Sequence, residues 1–421
     1  MKLGLLFLLL LISGLSKGLA DTLKSTTNAL GHTFTTKQSQ ALNSMTLKIW
    51  IPESVDSQPL PLLVVLDSQR YFNYAISMHH MIEDYGWAPQ FAILGLDTSE
   101  NRWSMLSGQR HEILETLEKQ VFPYVESKFP VSGERILFGW EAAGGFTLRT
   151  VIDNPTLFSG YIAASPSPLF GEYFPTLRED YETMLKAMTA STANTHLYVA
   201  QGRYDYPQYL GIDQLKSGLD SAQTAKLRYS FETIEDATHS NLGFETLMRG
   251  VRDYFYYYDT PQFNSLQAFE NKGGHQYLDK YFKQQALQYG FKQEELNQNR
   301  FELLRKLSFI ALMDDDIEGF KQFFARLENT DFLDRSHAPH LYRYGLFSLQ
   351  KNDILKAEKL FNYIKQRAPD NALPINGLGL VAEARGDNQK AIELFAKAVE
   401  LAEQQDDYRL DEYLSNLKRI Q

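Results

Sequence analysis

The stretch Arg135–Phe146, RILFGWEAAGGF, places a carboxylate where a short strand turns sharply into a helix. Ile136–Phe138 form an apolar run of strand type, and Gly144–Ile152 continue with a helical pattern. Gly139 and Ala143 stand two residues before and two after Glu141. Small flanks of this kind let the chain bend tightly enough to hold the central residue in a strained conformation. Such turns normally present a serine, in the pattern G-x-S-x-G. The literal match to that pattern, Gly14 to Gly18, lies in the apolar leader with neither a strand before it nor a helix of the folded domain after it.

Glutamate changes what the turn can do. A serine there gives its proton to a histidine and attacks a carbonyl carbon. A carboxylate needs no base, but its attack on an ester would yield an anhydride, so ordinary ester hydrolysis is not expected. Related folds use an aspartate at this place against alkyl carbon, where the product is an ester that activated water can open. Glutamate is one methylene longer and would push its carboxylate into the space of a substrate carbonyl. Its expected resting place is an ion pair with His239, or a seat across backbone N–H donors that welcome negative charge.

The elements around this turn follow from the pattern of apolar runs. From about residue 31 to 258, short β-rich runs alternate with longer amphipathic stretches, as when helices pack on a mostly parallel sheet. HTFTT and MTLKIWIP predict an early hairpin. Buried strands are expected at LPLLVVLD, QFAILGLD, RILFG, SGYIAAS, THLYVAQG and KLRYSFETI, with a clear helix at HEILETLEKQVFPYVESKF. In such folds ligands bind where the strands end, at one edge of the sheet. The fold class read from this is α/β, a mostly parallel sheet flanked by helices, followed by an all-α domain.

The segment 45–258 resembles the esterase D and ferric siderophore esterase branch of the α/β-hydrolases. That branch often reads G-H-S-x-G-G followed by P, F and YIAASPS, and this chain has GWEAAGGFTLRTVIDNPTLFSGYIAASPS. Glu141 thus stands where the family keeps its serine and Trp140 where it usually has histidine. The resemblance implies the order nucleophile, acid, histidine. Asp205 in AQGRYD and His239 in EDATHS occupy the later two places, with Asp236 and Glu235 as alternative acids. It also implies oxyanion donors at the backbone N–H of Ala142 and of Ser68 or Gln69, after LLVVLD. Arg102 in SENRW resembles the family's loop arginine and would meet an anionic group at the pocket rim. The acid that often follows in that loop is missing from NRWSML.

Beyond YFYYYDTPQF the strand signals stop. Gly345, Asn352, Asp353, Lys356, Ala357, Leu360 and Phe361 are answered 34 residues later by Gly379, Gly386, Asp387, Lys390, Ala391, Leu394 and Phe395. That period, with small residues in one helix facing an aromatic in the next, resembles the tetratricopeptide repeat. Some members of the family end in such repeats, so the likeness covers nearly all of the mature chain. The expected domains are a signal peptide at 1–20, the hydrolase-like domain at 21–259, a helical linker at 260–296 and repeats at 297–421. A peptide-binding groove and a helical bundle that props up the first domain are both open readings of the tail.

Composition narrows the function classes. Lys2, an apolar run from Leu3 to Ile12, and Gly18 and Ala20 before Asp21 make a secretory signal. No later run offers about 18 apolar residues, so no membrane span is expected after cleavage. With no cysteine the chain carries neither a disulfide nor a lipidated N-terminal Cys, which suits a bacterial periplasm. The net charge of −10, or −12 without Lys2 and Lys17, argues against nucleic acid as a partner. His79, His80 and Glu83 in SMHHMIED are read as a solvated helix face, since adjacent histidines point about 100° apart. His337 and His340 lack a third ligand, so neither metal nor cofactor is expected. The preferred reading is a non-hydrolytic relative that binds a small ester or acyl ligand, with the repeats meeting a protein partner. The alternative is an active hydrolase with Glu141 as nucleophile or general base and His239 assisting.

Overall fold

The computed structural model describes residues 30–36, 44–53, 59–167, 177–190, 194–205, 211–222, 226–328 and 330–421. The signal peptide expected at 1–20 lies outside them. The chain divides into two compact units, Met1–Tyr256 and Tyr257–Gln421.

The first unit is built on eight strands: β1 (His32–Thr35), β2 (Thr46–Trp50), β3 (Leu60–Leu66), β4 (Ala92–Leu96), β5 (Val131–Trp140), β6 (Gly160–Ala164), β7 (Thr195–Gly202) and β8 (Leu227–Ile234). They lie in the order β1-β2-β4-β3-β5-β6-β7-β8. The expected hairpin forms as the antiparallel pair β1 and β2, and β2 pairs antiparallel with β4. All pairs from β4 to β8 are parallel. The central strands β4 and β6 are buried along their whole length, which is why they read as unbroken apolar runs rather than alternating ones. Helices Ser68–Asp84, Ala142–Asp153 and Leu242–Tyr254 follow β3, β5 and β8 directly. The residues that link them to the strands therefore gather at the carboxyl edge of the sheet.

The helix expected through HEILETLEKQVFPYVESKF is broken. It runs as Arg110–Thr116, a π-helical turn at Leu117–Val121, then Phe122–Lys128. Pro123 explains the change, because a proline has no N–H to give the preceding turn and its ring crowds the carbonyl four residues back. The solvated face expected at His79 is also corrected. His79 is 1% exposed, with its ring against those of Trp50 and Phe91. The periodicity of one helix could not reveal that β2 and the segment after the helix close over this face.

The second unit is all helical, from Leu266–Asn271 to Leu410–Ile420. Its two matching helix pairs are Ala338–Gln350 with Ile354–Arg367, and Ala372–Ala384 with Asn388–Gln405. A Cβ on Gly345 would lie 2.4 Å from the ring of Phe361, and one on Gly379 would lie 2.5 Å from the ring of Phe395. The 34-residue recurrence is thus one glycine-to-phenylalanine contact made twice. Asp353 and Asp387 likewise cap the second helix of each pair by accepting from Lys356 N and Lys390 N.

Candidate functional site

Glu141 ends β5 and opens the helix Ala142–Asp153, with φ 55° and ψ −114°. A non-glycine residue in that region is strained and persists only where its surroundings hold it. Here they do so from both sides. Glu141 N donates to Ala164 O at 2.9 Å, and Glu141 O accepts from Gly145 N and Ser167 N, each at 2.9 Å. The close approach needs a glycine at 139, where a Cβ would sit 2.1 Å from the Ala143 carbonyl oxygen. The sharp turn read from RILFGWEAAGGF is present.

The carboxylate of Glu141 does not pair with His239 as expected. Its Oε2 accepts from Arg102 Nη1 at 2.6 Å. Burial pushes this carboxyl up, but the Ala142 N–H and the Arg102 guanidinium outweigh burial and hold it below its ordinary value. Negative charge at this point also faces the positive end of the helix that Ala142 opens.

Arg102 is the centre of the site. Its Nε donates to Asp67 Oδ1 at 3.0 Å and to Oδ2 at 3.1 Å, while Nη2 reaches Asp67 Oδ2 at 2.9 Å and the Trp140 carbonyl at 3.1 Å. Asp67 is fully buried and sits at φ 55° where β3 passes into its helix. Its other partner is the Thr98 hydroxyl. The missing loop acid noted after Arg102 has a counterpart here: the guanidinium finds its acid 35 residues upstream instead. Burial works against the charge on Arg102, but the hydrogen bonds it donates to Asp67 and Glu141 raise its pKa above the usual value. Ser68 and Gln69 open the helix after Asp67; Gln69 Nε2 donates to Thr98 Oγ1 at 3.0 Å and Gln69 Oε1 accepts from Thr98 N at 3.2 Å.

His239 and Asp205 come together across the adjacent loops. His239 Nδ1 lies 3.1 Å from Asp205 Oδ1, and Asp205 Oδ2 accepts from Gly202 N at 2.8 Å. Of the three acids left open, Asp205 is the one in contact; Glu235 faces Arg203 instead, at 3.6 Å. A carboxylate on Nδ1 makes Nδ1 the protonated nitrogen and Nε2 the basic one. Ser165, buried and at φ 38°, adds its hydroxyl 3.3 Å from the same Nδ1. Trp140 ties the two halves of the site, since its Nε1 donates to the His239 carbonyl at 3.0 Å and its ring lies 5.1 Å from the imidazole.

Asp67 and Ser165 were not singled out from the sequence. Both end apolar strand runs, LLVVLD and YIAAS, so a search of strand-final polar residues at the carboxyl edge would have found them. A recess of about 280 Å³ lies on Ser44, Thr46, Asp97, Glu100, Ser104 and Gln109, beside the loop that carries Arg102; neither Glu141 nor His239 lines it. Elsewhere, donor atoms of His79, His80 and Glu83 fall within 4.8 Å of one another. Phe91 N–H donates to His79 Nε2 at 3.3 Å, which leaves the ring proton on Nδ1, the atom that faces Glu83 at 3.7 Å. That arrangement offers an ion no lone pair on His79.

Residues 39–241 match the family model described as Putative esterase. No curated protein matches the chain. Among solved structures, an uncharacterised protein from Capnocytophaga ochracea shares 16% identity, with a TM-score of 0.50 over 91% of this chain and 99% of its own. At that identity the likeness shows the fold alone. The BES protein from Bacillus cereus is similar at 18% identity and TM-score 0.49, over 55% of this chain and 96% of its own. An IroE-like serine hydrolase from Shewanella oneidensis is similar at 16% and 0.49, over 71% and 99%.

Proposed function

Taking residues 39–241 as a member of the Putative esterase family, we propose that this chain is an exported relative that binds a small ester or acyl ligand at the turn without hydrolysing it. The observation that carries this reading is the 2.6 Å pair between Glu141 and Arg102. A carboxylate so held is a weak nucleophile toward an ester carbonyl. The helical unit is proposed to act as tetratricopeptide-like repeats that meet a protein partner; the paired glycine and phenylalanine contacts support that architecture.

The contact between Asp205 and His239 favours a second reading, in which the site still turns over. Water, losing a proton to Glu141 with His239 Nε2 assisting, would add to the carbonyl of the ester, and the tetrahedral intermediate would expel the alkoxide or phenoxide, which leaves with that proton.

The test is release of p-nitrophenol from a short-chain ester by the mature protein, beside Glu141→Ser and His239→Ala. The binding reading expects a silent native protein and turnover by Glu141→Ser. Activity of the native protein that His239→Ala abolishes would overturn it in favour of the hydrolase.

A further inference from the structure

Arg102 is the residue expected to meet an anionic group, yet its donors are spent. They go to both oxygens of Asp67, to Glu141 and to the Trp140 carbonyl. Two carboxylates share one guanidinium, so this trio carries net negative charge. An anionic group of a ligand therefore has no seat inside the turn and must be met outside it.

Arg70 is placed to do that. It lies in the first turn of the helix Ser68–Asp84, is exposed, and has no carboxylate partner among the described residues. A cation in a first turn opposes the helix dipole, and no acidic residue in that turn offsets it. What holds it is the Trp140 ring, whose centroid lies 5.3 Å from the guanidinium carbon. Trp140 is the neighbour of Glu141 and is bonded to the His239 carbonyl. A guanidinium with unspent donors is thereby shelved on an aromatic face beside the turn.

We infer that Arg70 anchors a carboxylate group of the ligand, paired in the planar two-pronged geometry that a guanidinium offers and an ammonium does not. This rests on the ligand-binding reading of the turn. The rest of the ligand extends over Trp140 toward His239 Nε2, which accepts a hydrogen bond from it.

The full-length protein is titrated with benzoate and with benzamide, which has the same shape without the charge. The readouts are tryptophan fluorescence and the Trp140 indole N–H resonance, assigned through Trp140→Phe. Benzoate is expected to saturate, with benzamide at least about tenfold weaker. Arg70→Gln is expected to weaken benzoate at least about tenfold, and Arg70→Lys by less, while the urea midpoint of both variants stays native. Equal benzoate affinity in Arg70→Gln, equal binding of benzamide, or no saturable benzoate signal would each overturn the inference. Failure of the parent reading shows separately, as ester turnover by the native protein.

Discussion

Replacing Arg102 with glutamine should cost the first unit about 2–4 kcal/mol at pH 7. Asp67 is fully buried, and its remaining partner in the variant would be the Thr98 hydroxyl. Removing one partner of a buried pair typically costs about 3–5 kcal/mol. The value is lowered here because the Arg102 side chain is itself 23% exposed, so water already screens part of the pair. All four tryptophans, Trp50, Trp87, Trp103 and Trp140, belong to the first unit, so urea melts followed by tryptophan fluorescence report on it selectively. Adding Asp67→Asn to Arg102→Gln removes the stranded charge and should restore most of the stability, a coupling that a double-mutant cycle measures. A loss under about 1 kcal/mol, or no rescue when Asp67→Asn is added, would refute the reasoning.

The Glu141 carboxyl is held below its ordinary value, so it stabilises the fold above the unfolded pKa and that contribution is lost as pH falls through the folded one. Glu141→Gln should flatten the acid limb of the stability curve below about pH 4.5, and an unchanged limb in urea melts would count against the Arg102 pair. Burial lowers His79 to about 4, the Glu83 carboxylate opposing it, so the folded state keeps the ring neutral while the unfolded chain protonates it. Stability should fall between about pH 6.5 and 4, by at most about 3 kcal/mol from this residue, and His79→Gln should remove that slope. In the helical unit, Phe361→Ala empties the space against Gly345 and Gly377 and should cost about 3–5 kcal/mol, read from the circular dichroism of the helices. A change within error there would contradict the paired-helix packing.

Much of the site was legible because its signals are local. The turn at Glu141 announces itself through Gly139 and Ala143, since a Cβ at 139 would sit only 2.1 Å from the Ala143 carbonyl oxygen. Asp205 and His239 were placed by chain order, because parallel strands joined by crossovers bring their following loops to one edge. The helical recurrence was legible for a similar reason, as one contact between Gly345 and Phe361 repeats at Gly379 and Phe395.

Harder to read were the pairings made across that edge. Asp67 looks like the end of an apolar strand, and its role depends on β3 lying beside both β4 and β5. That arrangement brings Arg102 between Asp67 and Trp140–Glu141. His79 looks amphipathic along its helix, and its burial depends on Trp50 and Phe91, which come from elsewhere in the chain.

The sequence by itself determined the strands, the strained turn, the identity of the charge at its tip and the histidine and acid that follow. Only the tertiary structure decided where that charge goes. Charge pairing acts through space and falls with distance, and a buried carboxylate is stable only beside a fixed cation and fixed N–H donors. Arg102, already anchored by buried Asp67, is such a cation; His239, turned by Asp205 on its Nδ1, is not the partner that Glu141 meets.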